Sequence, residues 1–266
     1  MISPVVFAID QHATSPLGNP ADQAGELGAS ACLPGCLRRW PAATALLLLA
    51  AVVVPGAGVV RAETATDDGP APRVVPVRFS IAPDAGRLGP DGEPRARRAD
   101  PATFLAAQLA RANEIFRPLG VSFVEAGRDI LPPRHGRMED RRDRHALGPR
   151  VAEGVIHVFV VAFLRDVDEP GRSRMGVHWT PRGVDGIRPG AHLIILAGYA
   201  HEGVLAHELG HYLGNPRHSD QVGNVMSYDW GERPVPVFDP TQARRIRRFL
   251  DRAFRGAAFD PDKPRP

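Results

Sequence analysis

The segment His207-Glu208-Leu209-Gly210-His211 holds two imidazoles four residues apart, with a carboxylate directly after the first. On a helix, His207 and His211 lie one turn apart on the same face, so both can bind one zinc ion. Glu208 sits beside that face, where its carboxylate can take a proton from a water at the metal without ligating the metal. Gly214 follows where the chain must leave the helix, and glycine adopts the left-handed conformation cheaply. Asn215-Pro216 then turns the chain and brings a third histidine, His218, back towards the metal. Met226, eight residues past His218, lies at the centre of the compact turn Asn224-Val225-Met226-Ser227-Tyr228. Three neutral imidazoles would leave zinc its full charge and an open position, which suits hydrolysis.

These residues resemble the metzincin clan of zinc metalloendopeptidases, whose signature is HExxHxxGxxH followed by a Met-turn. The likeness covers the active helix, the glycine turn, the third histidine and the Met-turn, and the layout of the flanking elements extends it over roughly residues 74–254. It implies a hydrolase acting on peptide bonds, with zinc held by His207, His211 and His218 and Glu208 as general base. It also implies that Met226 forms an apolar floor beneath the metal. Tyr228 matches the tyrosine that in some members reaches the zinc or the oxyanion; simple packing is the other reading of that side chain. The chain departs from the signature at one point. The third histidine of the family falls where this chain has Arg217, which stays protonated and offers no lone pair. His218 can serve if the turn after Gly214 is one residue looser, and Asp220 is the alternative ligand, since carboxylates also bind zinc. In the family an edge strand just before the active helix pairs with extended substrate. Residues 175–180 or 193–196 would have to supply it.

The elements that must position these residues read as a mixed α/β sheet covered by helices, and the resemblance implies that the sheet is twisted and mostly parallel. Residues 74–81 form a strand with Val75, Val77, Phe79 and Ile81 on one face. Asp100-Pro101 caps a helix whose stripe is Phe104, Leu105, Leu109, Ala112 and Phe116. Residues 121–124 read as a short strand, and the mixed-charge stretch 130–150 as a solvated helix or loop. The near-continuous apolar run 155–161 predicts a strand buried on both faces, with His157 a hydrogen-bonded core histidine. Asp166, Asp168 and Glu169 could hold a structural calcium ion, or simply form a solvated turn before Pro170-Gly171. Residues 175–180 and 192–196 are further strands, and His178, His192 and His201 read as surface or packing histidines. A last helix starts at Asp239-Pro240 with Ile246, Phe249, Leu250 and Phe254 inward and an outer face of Arg244, Arg245, Arg247 and Arg248. That outer face reads as solvated.

The chain has 266 residues, 43% of them hydrophobic and 24% charged, which excludes a collagen, a coiled-coil rod and a wholly disordered chain. The formal net charge of +3 is spread along the chain, and no basic patch with interleaved aromatics marks a nucleic-acid partner. Arg38-Arg39, the apolar run 42–54 and the small residues before Glu63 follow the pattern of a signal peptide. Residues 1–62 are thus expected to be an extension plus signal, with the true start near Leu37 and 1–36 outside the natural reading frame. The rest divides into a lead-in at 63–73, a metalloprotease-like catalytic domain at 74–256 and a tail at 257–266. Cys32 and Cys36 leave with the leader, so no disulfide framework is expected. The expected product is a monomeric endopeptidase, secreted or periplasmic, acting on peptide or protein substrates. Two alternatives are a non-catalytic zinc-bearing binding module of the same fold, and a membrane-tethered form if the leader stays uncleaved.

Overall fold

The computed structural model describes residues 71–96, 100–232 and 234–259. The expected signal segment and its cleavage point therefore lie outside the described residues. Among the described residues, no helix is long and apolar enough to cross a membrane.

Two apolar strands form the middle of the structure. In β4 (Ile156–Val161) and β7 (Leu193–Ala197) every residue is buried, as continuous apolar runs require. β1 (Arg73–Ile81) lies between β4 and β2 (Val121–Ile130), and β6 (Gly176–Trp179) flanks β7, giving the order β2-β1-β4-β7-β6. All neighbours are parallel except β6, which runs antiparallel to β7. The fold is thus mixed α/β with a mostly parallel sheet. β3 (Arg137–Met138) and β5 (Phe163–Leu164) make a separate two-stranded parallel ladder.

Both long helices start on the caps that the sequence offers. In α1 (Pro101–Phe116) the Asp100 carboxylate accepts from the amides of Ala102 and Thr103. The other is α4 (Pro240–Arg255), where Asp239 and Gln242 form a capping box. Between them in sequence lie the short α2 (Arg141–His145) and the nine-residue α3 (Val204–Tyr212), which packs on α1, β6 and β7.

Three expectations need correction. β2 does not end at Val124 but runs to Ile130, and its second half is exposed. It is an edge strand held by its backbone ladder to β1 and by the bidentate Arg78–Asp129 pair (2.7 and 2.9 Å), so it carries no burial pattern. The stretch 130–150 is not wholly solvated: Arg144 is fully buried, its guanidinium over the Trp179 ring and donating to the Arg165 carbonyl. Burial pushes Arg144 down to about 10. Phe254 is not part of the inward stripe of α4 but 37% exposed; Gln242, Ala243 and Ala253 join Ile246 and Leu250 there instead.

His157 is the hydrogen-bonded core residue expected. Its Nδ1 accepts from the Ala152 amide (3.0 Å), which leaves Nε2 protonated and donating to Ser80 Oγ (2.9 Å). Burial lowers it from 6.5 to about 4. The native state therefore binds fewer protons than the unfolded chain between these values, so stability holds above pH 6.5 and falls as pH drops towards 4. We expect up to about 3 kcal/mol of acid-side loss from this group. In urea unfolding at pH 7.5 and pH 4.5, His157→Gln should show a shallower loss than the parent. Equal losses in both would contradict the assignment.

Candidate metal centre

α3 carries His207, Glu208 and His211, all buried. Gly203 opens the helix without a side-chain cap, and the cap comes from another helix. Gln108 of α1 accepts from the Leu205 amide (3.0 Å) and donates to the His201 carbonyl (2.7 Å), so one buried side-chain amide fixes the start of α3. The end of α3 closes as the glycine predicts. Gly214 takes φ +104°, its amide donates to His211 (3.1 Å) and that of Asn215 to the Gly210 carbonyl (3.1 Å).

The loop beyond returns His218 to the helix, and the histidine ring nitrogens converge. His207 and His211 Nε2 lie 3.1 Å apart, and those of His211 and His218 lie 3.2 Å apart. Among the described residues these three form the cluster able to hold a metal ion. Asp220 is exposed and outside it. The outer nitrogens are held as well. Nδ1 of His207 donates to the Val225 carbonyl (2.7 Å) and Nδ1 of His211 to the Asn215 carbonyl (2.6 Å). His218 Nδ1 meets the Tyr228 hydroxyl (3.1 Å). A carbonyl only accepts, so each of the first two imidazoles carries its proton on Nδ1 and turns a bare Nε2 lone pair inward.

Burial pushes His207 well below 6.5, His211 down to about 4 and His218 down to about 3. All three are therefore neutral at neutral pH. Facing lone pairs at 3.1 Å with no proton between them repel, and a cation resolves the conflict. The spacing is close to the roughly 3.3 Å between neighbouring ligands of a tetrahedral zinc with 2.0–2.1 Å bonds. Zinc fits this donor set.

Glu208 is fully buried and neither carboxylate oxygen has a hydrogen-bond partner. Burial pushes it up to about 8, opposed by the nearby His178 backbone N–H, which does not reach hydrogen-bond geometry, and by the positive fields of Arg174 and Arg144. A buried carboxylate without a hydrogen-bond partner is costly to folding.

Packing supports the site from below and above. Met226 is buried, and a methyl group at Gly210 would come within 2.4 Å of its Sδ, so the missing side chain in α3 is what seats the sulfur. The Met226 amide donates to Asn224 Oδ1 (2.8 Å), and Asn224 Nδ2 donates to Gln242 Oε1 (3.0 Å), tying the turn to the α4 cap. Ser219 donates to the Met226 carbonyl (2.9 Å), which holds the His218 loop against that turn. Above, a Cβ at Gly176 would lie 2.9 Å from Glu208 Oε1 and 2.5 Å from Val204, so glycine lets β6 approach α3.

Of the two segments able to act as an edge strand, β6 is the one at the sheet edge; β7 is interior. Ala197 donates to the Met175 carbonyl (2.9 Å), so with the Val177↔Ile195 register Gly176 and His178 turn their N–H and C=O groups outward. His178 Nε2 and His192 Nδ1 are 2.8 Å apart, and His192 stacks on Tyr212 at 3.7 Å, a packing role. In the loop considered for calcium each carboxylate faces an arginine: Asp166 with Arg174 (2.7 Å), Asp168 with Arg141, and Glu169 with Arg172 (2.7 Å). Asp166 Oδ1 also accepts from the amides of Asp168 and Glu169.

Gln108 belongs to no motif, and although Asn224 lies in the Met226 turn and Gly176 in the candidate edge strand, nothing in the sequence marks the contacts that these three make.

Compared with known proteins, the chain matches no family model and no curated protein. Solved structures do resemble it. Metalloproteinase-II from Bacteroides fragilis aligns with a TM-score of 0.46 and 14% identity over 68% of this chain and 55% of that one. The chain therefore spans about half of that protein's length. Archaemetzincin from Methanopyrus kandleri aligns with a TM-score of 0.41 and 16% identity, over 66% of this chain and 96% of that one.

Proposed function

We propose that this chain is a zinc-dependent endopeptidase, exported by its N-terminal segment, that hydrolyses peptide bonds of extended polypeptide. The observation that carries this reading is the convergence of three neutral imidazoles next to the unpartnered carboxylate of Glu208. His207, His211 and His218 would hold the ion. When bound, zinc supplies a Lewis acid that polarises the scissile carbonyl and lowers the pKa of water at the site.

The chain's own residues do the rest. A Glu208 oxygen takes the proton from the attacking water and passes it to the leaving amine. The outward groups of Gly176 and His178 bind the substrate backbone as an added strand. Tyr228 supports the site through its contact with His218, which favours a positioning role beside the oxyanion role that the resemblance implies.

A non-catalytic zinc module has no use for an unpartnered buried carboxylate, which would weaken folding and do nothing. The purified chain should take up one zinc ion and cleave an unfolded protein such as casein. A chelator should abolish cleavage, and added zinc should restore it. Zinc uptake without cleavage of any unfolded protein would favour the binding module, and cleavage that survives complete metal removal would refute the mechanism.

A further inference from the structure

The outer face of α4 is a strongly basic surface. Arg244, Arg245, Arg247, Arg248, Arg252 and Arg255 are all exposed. At about 100° per residue, five of them (all but Arg247) fall within an arc of roughly 100°. They extend over about 16 Å of helix. The one acidic residue of the helix, Asp251, is taken by Arg73 (2.6 Å). Among the described residues no ion pair reaches any of the six, and the hydrogen bond that does is Arg244 to Thr241 (2.9 Å). A surface helix stabilised for its own sake would intersperse several acids at i±4; this one has Asp251 alone, four residues from both Arg247 and Arg255 and paired with Arg73 outside the helix.

Lys263 is the one lysine of the chain, so a general preference for arginine explains the residue type here. It does not explain a helix face of six arginines whose one acid is paired with Arg73. We propose that this face docks on an anionic phospholipid surface. Guanidinium groups suit phosphate, since their planar forks bind it bidentately. Clusters of four to eight basic residues on an amphipathic helix are the pattern that anionic headgroups attract.

Phe254 decides between a bilayer and another polyanion. It is 37% exposed beside Arg247, at the edge of the exposed face of α4, with Phe259 (ring centroids 5.6 Å apart) and the Arg73 guanidinium (5.8 Å from the ring centroid) against it. An exposed phenyl group beside an arginine can enter the boundary between headgroups and acyl chains. A nucleic acid bound through phosphates alone makes no use of it, and the stripe carries no amide side chain to read base edges. The side of α4 away from the arginines, with Ile246 and Leu250, is buried in the core. The proposal is independent of catalysis.

The test is co-sedimentation of the full chain with vesicles of phosphatidylcholine alone and of phosphatidylcholine with 30% phosphatidylglycerol, at 50 and 300 mM salt. The phosphatidylglycerol-dependent part of binding should fall steeply with salt. In the quadruple variant Arg244→Gln, Arg248→Gln, Arg252→Gln, Arg255→Gln it should drop at least about 100-fold, with helix content unchanged by circular dichroism. Phe254→Ser should weaken vesicle binding several-fold and leave its salt dependence in place. Binding equal on both vesicles, a quadruple variant that binds like the parent, or duplex DNA that displaces the chain from vesicles at equal charge would each overturn the proposal.

Discussion

Replacing Glu208 by glutamine is expected to lower kcat for casein hydrolysis by roughly 100- to 10,000-fold, with zinc content unchanged. Glutamine keeps the volume of the side chain but cannot accept a proton, so the change isolates proton transfer from packing. The folding effect should run the other way. Glu208 is buried with both oxygens outside hydrogen-bond geometry, and burial opposes its ionised form, so glutamine removes the cost of ionising a carboxyl group there. The variant should melt at the same temperature as the parent or higher, as happens where a site trades stability for activity. Loss of activity together with a marked fall in melting temperature would instead make Glu208 a structural residue. Undiminished activity would remove it from the mechanism.

The second large effect concerns the third ligand. His218→Ala should weaken zinc binding by more than about 100-fold, because loss of even an outer partner of a ligand costs 10- to 100-fold. Asp220→Ala should bind zinc as the parent does, since Asp220 is exposed and outside the cluster. Tyr228→Phe removes the hydroxyl that meets His218 Nδ1 and should fall between the two. Competition with a chromogenic chelator measures all three affinities without reference to activity. If Asp220→Ala loses zinc and His218→Ala keeps it, the ligand set proposed here is wrong.

How far the sequence speaks for itself depends on whether the deciding contact is local. Asp100-Pro101 and Asp239-Pro240 mark their helices because a cap is made within three residues. His207 and His211 share a face because helical geometry is local. Gly214 ends α3 for the same reason. Gln108 was invisible because its partners His201 and Leu205 are 93 and 97 residues away. Nothing in α1 distinguishes that glutamine from a solvent-facing one.

The full length of β2 was missed because an edge strand can be held by backbone pairing while its side chains stay wet. Arg144 was misread because arginine among charged neighbours looks solvated, and its burial depends on Trp179 from a distant strand. The choice between His218 and Asp220 as the residue nearest the other two histidines depends on how one loop is tied to the Met226 turn. That tie is the Ser219–Met226 hydrogen bond, which no spacing rule contains.

The alternation along β6 limits how an extended chain can move on it. Backbone groups point outward at every second residue, here Gly176 and His178. A chain laid along them keeps its hydrogen bonds only if it shifts by two residues at a time, about 7 Å. A shift of one residue reverses every side chain, turning what faced the helix towards solvent. Such an edge divides any polypeptide into two interleaved frames and, once one is engaged, holds the chain in that frame.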